Sequence, residues 1–462
     1  MLGAARNTDR RKINITIQTE MKLWDKGYAT DSFVEEFTVG RDREMDLYLA
    51  EADVLGNMAH MRMLNSIGLI SDEDRAALEK GLKKIYAAVR SGDFRIDEGV
   101  EDVHSQVEFM LTAECGDAGK RIHTGRSRND QVMVDIKLFS RSALIALQQS
   151  VRSLFDVLMA KAEEYKDVLM PGYTHMQVAM PSSFGLWLSA YAEALADDML
   201  QLDAAYKLVN TNPLGSGAGY GSSVPLDRRM TTRLLGFDDL AYNSIYAQMQ
   251  RGKTERTVLT AIAAVAATLG RLAQDVCLYS CANFGFVKLP DAFTTGSSIM
   301  PHKKNPDIFE LIRAKCNRLQ ALPTEVTLIM TNLPSGYFRD MQLTKEIYIP
   351  AFKEIGDALR MAGEGIGQMS IDRDILRDDK YKYLFTVEDV NDAVARGVPF
   401  RDAYREVGMR VQNGTYEHDG RELHHTHEGS IGNLCLDGIR AKFERHAFDY
   451  APALKAEEEL MR

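Results

Sequence analysis

SALIALQQSVRSLFDVLMA, residues 142–160, carries Leu144, Leu147, Val151, Leu154 and Leu158. Steps of three and four residues between apolar side chains form the seam of a bundle helix. The stretches 183–208, 244–286, 306–322 and 351–371 read the same way. At about 1.5 Å per residue, helices of this size run for tens of ångströms. Proline, at 12 of 462 residues, leaves long segments uninterrupted, and strand signals are few and short. The pattern predicts an all-α protein, a long-helix central bundle with smaller N- and C-terminal helical domains. The expected partition is an extension over 1–20, an N-terminal domain over 21–125, the bundle over 126–375 and a C-terminal helical domain over 376–462.

Composition narrows the function classes. Apolar residues make up 45% and charged residues 26% of the chain, which excludes intrinsic disorder for its bulk. Lys+Arg is 56 against Asp+Glu 66, a net charge of -10. That argues against a nucleic-acid or anionic-membrane partner. The longest uncharged apolar run, 257–270, has 14 residues, short of the roughly 20 a span needs, so no membrane segment is expected. Residues 1–20 are polar and slightly basic and lack the apolar core of a secretory signal. They read as a poorly ordered extension, with Met21 opening the ordered part. Five scattered cysteines without a CxxC pair indicate neither a disulfide framework nor a zinc ribbon. A reducing cytoplasm suits them. Cys277 and Cys281 read as packing residues of an apolar helix.

Glycine and proline clusters between the helices mark loops, at PGYTH (171–175), NPLGSGAGYGSSVP (212–225), LPDAFTTGSSIMPHKKNP (289–306) and NLPSGYFRD (332–340). Four segments carry chemistry. In GSSIMPHKKNP (296–306), Asn305 and Pro306 read as N-cap and first helical residue. The free amides of that helix start, with Lys303 and Lys304 beside them, would favour an anion. The alternative is an ordinary capped loop with surface lysines. PGYTHMQ (171–177) offers Thr174 and His175, and histidine is the usual acid or base near neutral pH. HTGRSRNDQV (123–132) packs Arg126, Ser127, Arg128 and Asn129 together, and arginine forks grip carboxylates. It reads equally as a charged helix start. EDVH (101–104) ends in His104, which taken alone reads as a satisfied surface residue. His424, His425 and His427 lack an accompanying ligand set at a recognisable spacing, so no metal site is expected there.

In this order, HTGRSRNDQV, PGYTHMQ and GSSIMPHKKNP resemble the fumarase/aspartase superfamily, and within it the argininosuccinate lyases. The resemblance runs from Lys22 to about Arg401. It implies an all-α homotetramer with active sites shared by three chains, and reversible β-elimination of argininosuccinate to arginine and fumarate with no cofactor or metal. By the same resemblance, Ser297, His175, Glu310 and Lys303 are the catalytic residues. Ser127, Arg128, Asn129, Thr174, Tyr337, Gln342, Lys345 and His104 meet the substrate, with Asp46 a weak further candidate. The departures are His302 for a common glutamine, Arg339 for a usual lysine, GSGAGYG for GSGALAG and KLWDKGY for KLWGGRF. The competing expectations are another lyase of the superfamily, such as an adenylosuccinate lyase, and a non-enzymatic relative like the delta crystallins.

Overall fold

In the computed structural model, which describes residues 32–420, 423 and 425–462, the seam helix runs further than its apolar core, over Arg128–Glu164. Its 37 residues make a rod of about 55 Å. Leu144, Leu147, Val151, Leu154 and Leu158 are all buried along it, each worth about 1.5–3 kcal/mol relative to exposure. A capping box starts it: the Ser127 hydroxyl accepts backbone N–H at the first turn, and Ser127 N donates to Asp130 Oδ1 at 2.8 Å. The second Asp130 oxygen accepts from Gly215 N (2.9 Å) and Gly217 N (3.0 Å), which pins the glycine-rich 212–221 loop to the helix start.

Arg128–Glu164 packs against Phe184–Val209, Thr344–Gln368 and Ala50–Ser66. Lys253–Tyr279 closes the bundle against Phe184–Val209, Asp307–Leu319 and Thr344–Gln368. These helices share one apolar core. The terminal helices Leu436–His446 and Ala451–Met461 feed Ile439, Phe443 and Leu460 into it. The pair Thr386–Ala395 and Phe400–Gln412 instead closes a small core of its own around Val390, Ala403 and Val407. The expected extension over 1–20, the start at Met21, the KLWDKGY segment and His424 all lie outside the described residues.

Several expectations need correction. The stretch 244–286 is two helices, Ser244–Met249 and Lys253–Tyr279, broken at Gly252, whose φ is 72°. The 306–322 stretch likewise divides into Asp307–Leu319 and Leu322–Ile329. The helix expected from 351 begins at Thr344 and carries Pro350 inside it. Proline removes one helical hydrogen bond and crowds the carbonyl four residues back, and here tertiary packing outweighs both costs. Asn305 does not cap: it pairs with Thr295 in a two-residue ladder, and Pro306 takes the N-cap position of a helix that starts at Asp307. Residues 171–174 of PGYTH are not loop but the end of the strand Leu169–Thr174, antiparallel to Gln177–Ser183, and only His175 falls in the hairpin turn. The strand's glycine and proline fall where the register shifts, between Pro171 and Tyr173. Cys277, in its helix's last turns, packs half-buried against the core as expected, whereas Cys281 lies beyond the helix end. Finally, Arg128–Glu164 and Lys253–Tyr279 are long and apolar enough, by length and composition, to cross a membrane, because a spanning helix tolerates a few charges that an uninterrupted apolar run excludes. Both are packed helices of the bundle.

Candidate active site

A cavity of about 270 Å³ opens where the N-terminal helices meet the start of Arg128–Glu164 and the segment 337–345. Four short stretches line it: Asp42 and Asp46; Glu101, Asp102, His104 and Ser105; Arg128, Asn129 and Val132; and Tyr337, Arg339, Gln342 and Lys345. Such a polar, two-signed lining suits a small ligand bearing both carboxylates and cationic groups.

Each stretch is held for a local reason. Asp102 caps Val103–Cys115 by accepting Ser105 N at 2.7 Å, which fixes His104 in the first turn. His104 is therefore buried rather than a surface residue, with Nδ1 2.8 Å from Asp53 Oδ1. Arg128 is the first residue of its helix, and its Nη2 reaches Glu108 at 3.2 Å and Ser105 Oγ at 3.4 Å. Asp42 and Asp46, four apart on one helical turn, both grip Lys345 Nζ, at 2.8 and 2.6 Å. Burial alone would pull the Lys345 ammonium down, but Asp46 and Asp42 outweigh it and its pKa is raised. Burial pushes the Asp42 carboxyl up, against the pull of Lys345. Arg339 donates to Glu101 at 2.8 Å and to the Thr38 carbonyl at 3.0 Å. Gln342 spends its amide on the carbonyls of Thr38 (2.8 Å) and Val39 (3.2 Å). The departure at Arg339 thus ties the helix Ser32–Val39 to the cavity rim. Beneath this segment, buried Arg251 pairs with Glu255 at 2.9 Å and donates to the Met341 carbonyl at 2.6 Å.

The cavity gathers His104, Arg128, Asn129, Tyr337, Gln342 and Lys345, and also Asp46. It does not gather Ser127, whose hydroxyl serves the helix cap. Nor does it include Thr174, His175, Ser297, Lys303 or Glu310. Thr174 and His175 stand exposed at the tip of the hairpin, where His175 (φ 53°) and Met176 (φ 61°) occupy the left-handed region. For residues other than glycine this costs about 1–3 kcal/mol each, strain that tends to mark functional tips. Ser297 opens the turn between the paired strands Thr295–Gly296 and Lys304–Asn305, its Oγ accepting from Met300 N at 3.1 Å and Ile299 N at 3.3 Å. Lys303 is exposed in that turn, and Glu310 is exposed on Asp307–Leu319. Sequence reasoning missed Asp42, Glu101, Asp102 and Ser105. The i,i+4 spacing of Asp42 and Asp46, and Asp102 as an N-cap two residues before His104, were the available signals. His425 is engaged by Ser430 at 2.8 Å and Glu388 at 3.2 Å, a structural tie.

Two histidines in the field of Arg126 are acid-sensitive. His60, fully buried and bonded to the Thr124 carbonyl at 2.8 Å, is held well below the usual imidazole range by burial and by Arg126. Burial, with Arg126 and Arg128, lowers His123 to about 4 from 6.5. Because the unfolded chain binds these protons first, stability from His123 is present above pH 6.5 and is lost as the pH falls toward 4. The melting temperature should therefore fall more steeply across that window in the native chain than in His123→Asn. Parallel curves for the two would overturn this assignment.

The pattern of the Lyase family matches residues 25–321. The chain is 58% identical over 442 residues to an argininosuccinate lyase of Bacteroides fragilis, covering 95% of this chain and 99% of that one. It is 60% identical over 420 residues to one of Parabacteroides distasonis, covering 91% and 94%. Among solved structures it is similar to EDDS lyase in complex with formate, at a TM-score of 0.74 and 22% identity over 94% of both chains. It is also similar to a class II fumarase of Schistosoma mansoni, at a TM-score of 0.67 and 17% identity over 90% and 95%. These two likenesses speak for the fold alone, all-α and of the fumarase/aspartase kind. Taken with the matching family pattern and the identities along nearly the whole chain, they lead to one conclusion: this chain belongs to the argininosuccinate lyase family.

Proposed function

We propose that the chain splits argininosuccinate reversibly into arginine and fumarate, and that the described cavity holds part of its substrate site. The observation that carries the reading is the two-signed lining. Arg128, Arg339 and Lys345 bring cationic donors to the cavity and Glu101, Asp102, Asp42 and Asp46 bring acceptors. Arg339 with Glu101, and Lys345 with Asp42 and Asp46, pair with each other here, and a substrate's carboxylate and guanidinium groups would exchange into those pairs. Asn129, Tyr337, Gln342 and His104 supply the neutral contacts. The test is direct: purified protein given argininosuccinate should release fumarate, read as ultraviolet absorbance. Silence with argininosuccinate but turnover of adenylosuccinate would favour the competing lyase, and silence with both a non-catalytic relative.

The elimination needs a base for a weakly acidic C–H beside a carboxylate. It also needs a cationic group for the charge that spreads into that carboxylate, and an acid for the departing nitrogen. Ser297 is assigned as base, Lys303 as the stabilising cation, and His175, charged by Glu310, as the acid side. The Ile299 and Met300 amides at Ser297 Oγ favour an oxyanion there. The reverse assignment, His175 as base and Ser297 as donor, uses the same groups.

None of the residues lining the cavity comes from 169–183 or 287–320. A homotetramer in which three chains complete each site resolves that separation: one chain supplies the cavity, and others bring the hairpin tip and the 297–303 turn. A reducing cytoplasm suits the five free cysteines. Under this reading, His175→Asn and Arg128→Ala, each inactive alone, should regain partial turnover when refolded together, because hybrid assemblies contain some sites free of both lesions. No recovery despite demonstrated subunit exchange would refute shared sites.

A further inference from the structure

Behind the cavity wall, His104, Asp53 and Asp135 form a cluster that lies almost wholly out of solvent, at 4%, 1% and 1% exposure. His104 Nδ1 is 2.8 Å from Asp53 Oδ1 and 3.3 Å from Asp135 Oδ2. The other Asp53 oxygen accepts from Asn57 Nδ2 at 2.8 Å. Neither Asp135 oxygen receives an N–H or O–H from any described residue. A buried carboxylate left without a donor is among the costliest groups a fold can carry. Two carboxylates side by side in such a place resolve the cost by holding a proton between them.

We infer that Asp135 carries that proton and donates it to Asp53, and that the resulting singly charged pair positions His104, with its hydrogen on Nδ1 directed to Asp53 and Nε2 presented to the cavity. The direction of the Asp135 pKa agrees: burial raises it well above the carboxylate range, and Asp53 and Asp46 raise it further against Arg126. A cation held by the same three residues is the rival reading. It is disfavoured by the buried Arg126 guanidinium, whose charge already acts on Asp53 and Asp135. The inference rests on the proposed substrate site only for its consequence. Asp53 and Asp135 are positioning residues, acting on the substrate through His104.

The experiment is ¹⁵N NMR of histidine-labelled full-length protein at neutral pH without substrate, with His104 assigned by its loss in His104→Gln. The inference expects a protonated Nδ1. Asp135→Asn, the neutral isostere of a protonated acid, should keep that signal. Asp53→Asn can offer its own N–H to Nδ1. It should shift the hydrogen to Nε2 and lower kcat by about 10²–10⁴-fold with a much smaller change in KM, as when an orienting carboxylate becomes an amide in a catalytic triad. Should Asp53→Asn fail to fold, the native and Asp135→Asn spectra decide alone. An unprotonated Nδ1 in the native protein, a tautomer change in Asp135→Asn, or stoichiometric broadening of His104 by Mn²⁺ would each overturn the inference. A protein that lacks lyase turnover but shows the expected tautomer would instead defeat the proposed function and leave the cluster's chemistry standing.

Discussion

Ser297→Ala should lower kcat for argininosuccinate by about 10²–10⁴-fold, the usual worth of a positioned proton-transfer group, while substrate binding stays largely intact. The hydroxyl is assigned a task realised only in the transition state, so its loss belongs in kcat rather than in affinity. The structure sharpens the contrast with the adjacent serine. Ser297 Oγ accepts two backbone amides, Ile299 N and Met300 N, whereas Ser298 is exposed and makes neither contact. Ser298→Ala should cost far less. Lys303→Ala should differ from both, harming affinity and rate together, because its charge meets the carboxylate before and during the reaction. Steady-state kinetics with a binding measurement on each variant decides the matter. A dead Ser298→Ala beside an active Ser297→Ala would show that the register of the whole turn is misassigned.

Lys345→Met should destabilise the chain by about 3–5 kcal/mol, the cost of leaving a buried charge without its partner. Its ammonium sits between Asp42 and Asp46, with the Lys345 side chain 6% exposed. Removing it leaves two carboxylates facing each other across a volume that methionine fills but cannot neutralise. Asp42, already raised by burial, is the group that would then take a proton. Adding Asp42→Asn should accordingly recover part of the loss, and the two changes should be non-additive because the groups touch. Denaturant unfolding of the three variants measures this. A loss below about 1 kcal/mol for Lys345→Met, the scale of an exposed pair, would mean the cluster is solvated in solution. Turnover should fall as well, since the same lysine lines the cavity.

Much of the architecture is written locally in the chain. The three-and-four spacing from Leu144 to Leu158 dictates a helix with one apolar seam, because side chains at those steps share a face whatever else the chain does. Ser127 and Asp130 mark its start by the same kind of short-range chemistry, and HTGRSRNDQV, PGYTHMQ and GSSIMPHKKNP point to the family. Helix ends were less legible. Gly252 breaks a run that periodicity alone would continue, and the helix expected to begin after Pro350 starts earlier and takes the proline in. The break follows glycine's ease at positive φ, whereas at Pro350 packing across the bundle outweighs proline's local preference. The strand around PGYTH escaped because its partner, Gln177–Ser183, is needed to pair it and its bulge disguises the alternation. The cavity was beyond local reading altogether. Lys345 meets Asp46 across 299 residues of sequence, and His104 meets Asp53 across 51. The residue types could be named from their motifs, but charge pairing, burial and the shared proton depend on which groups the folded bundle brings within about 3 Å of one another. Spacing along the chain sets faces and caps; the tertiary structure alone decides which buried charges meet, because desolvation and Coulomb attraction act through space and not along sequence.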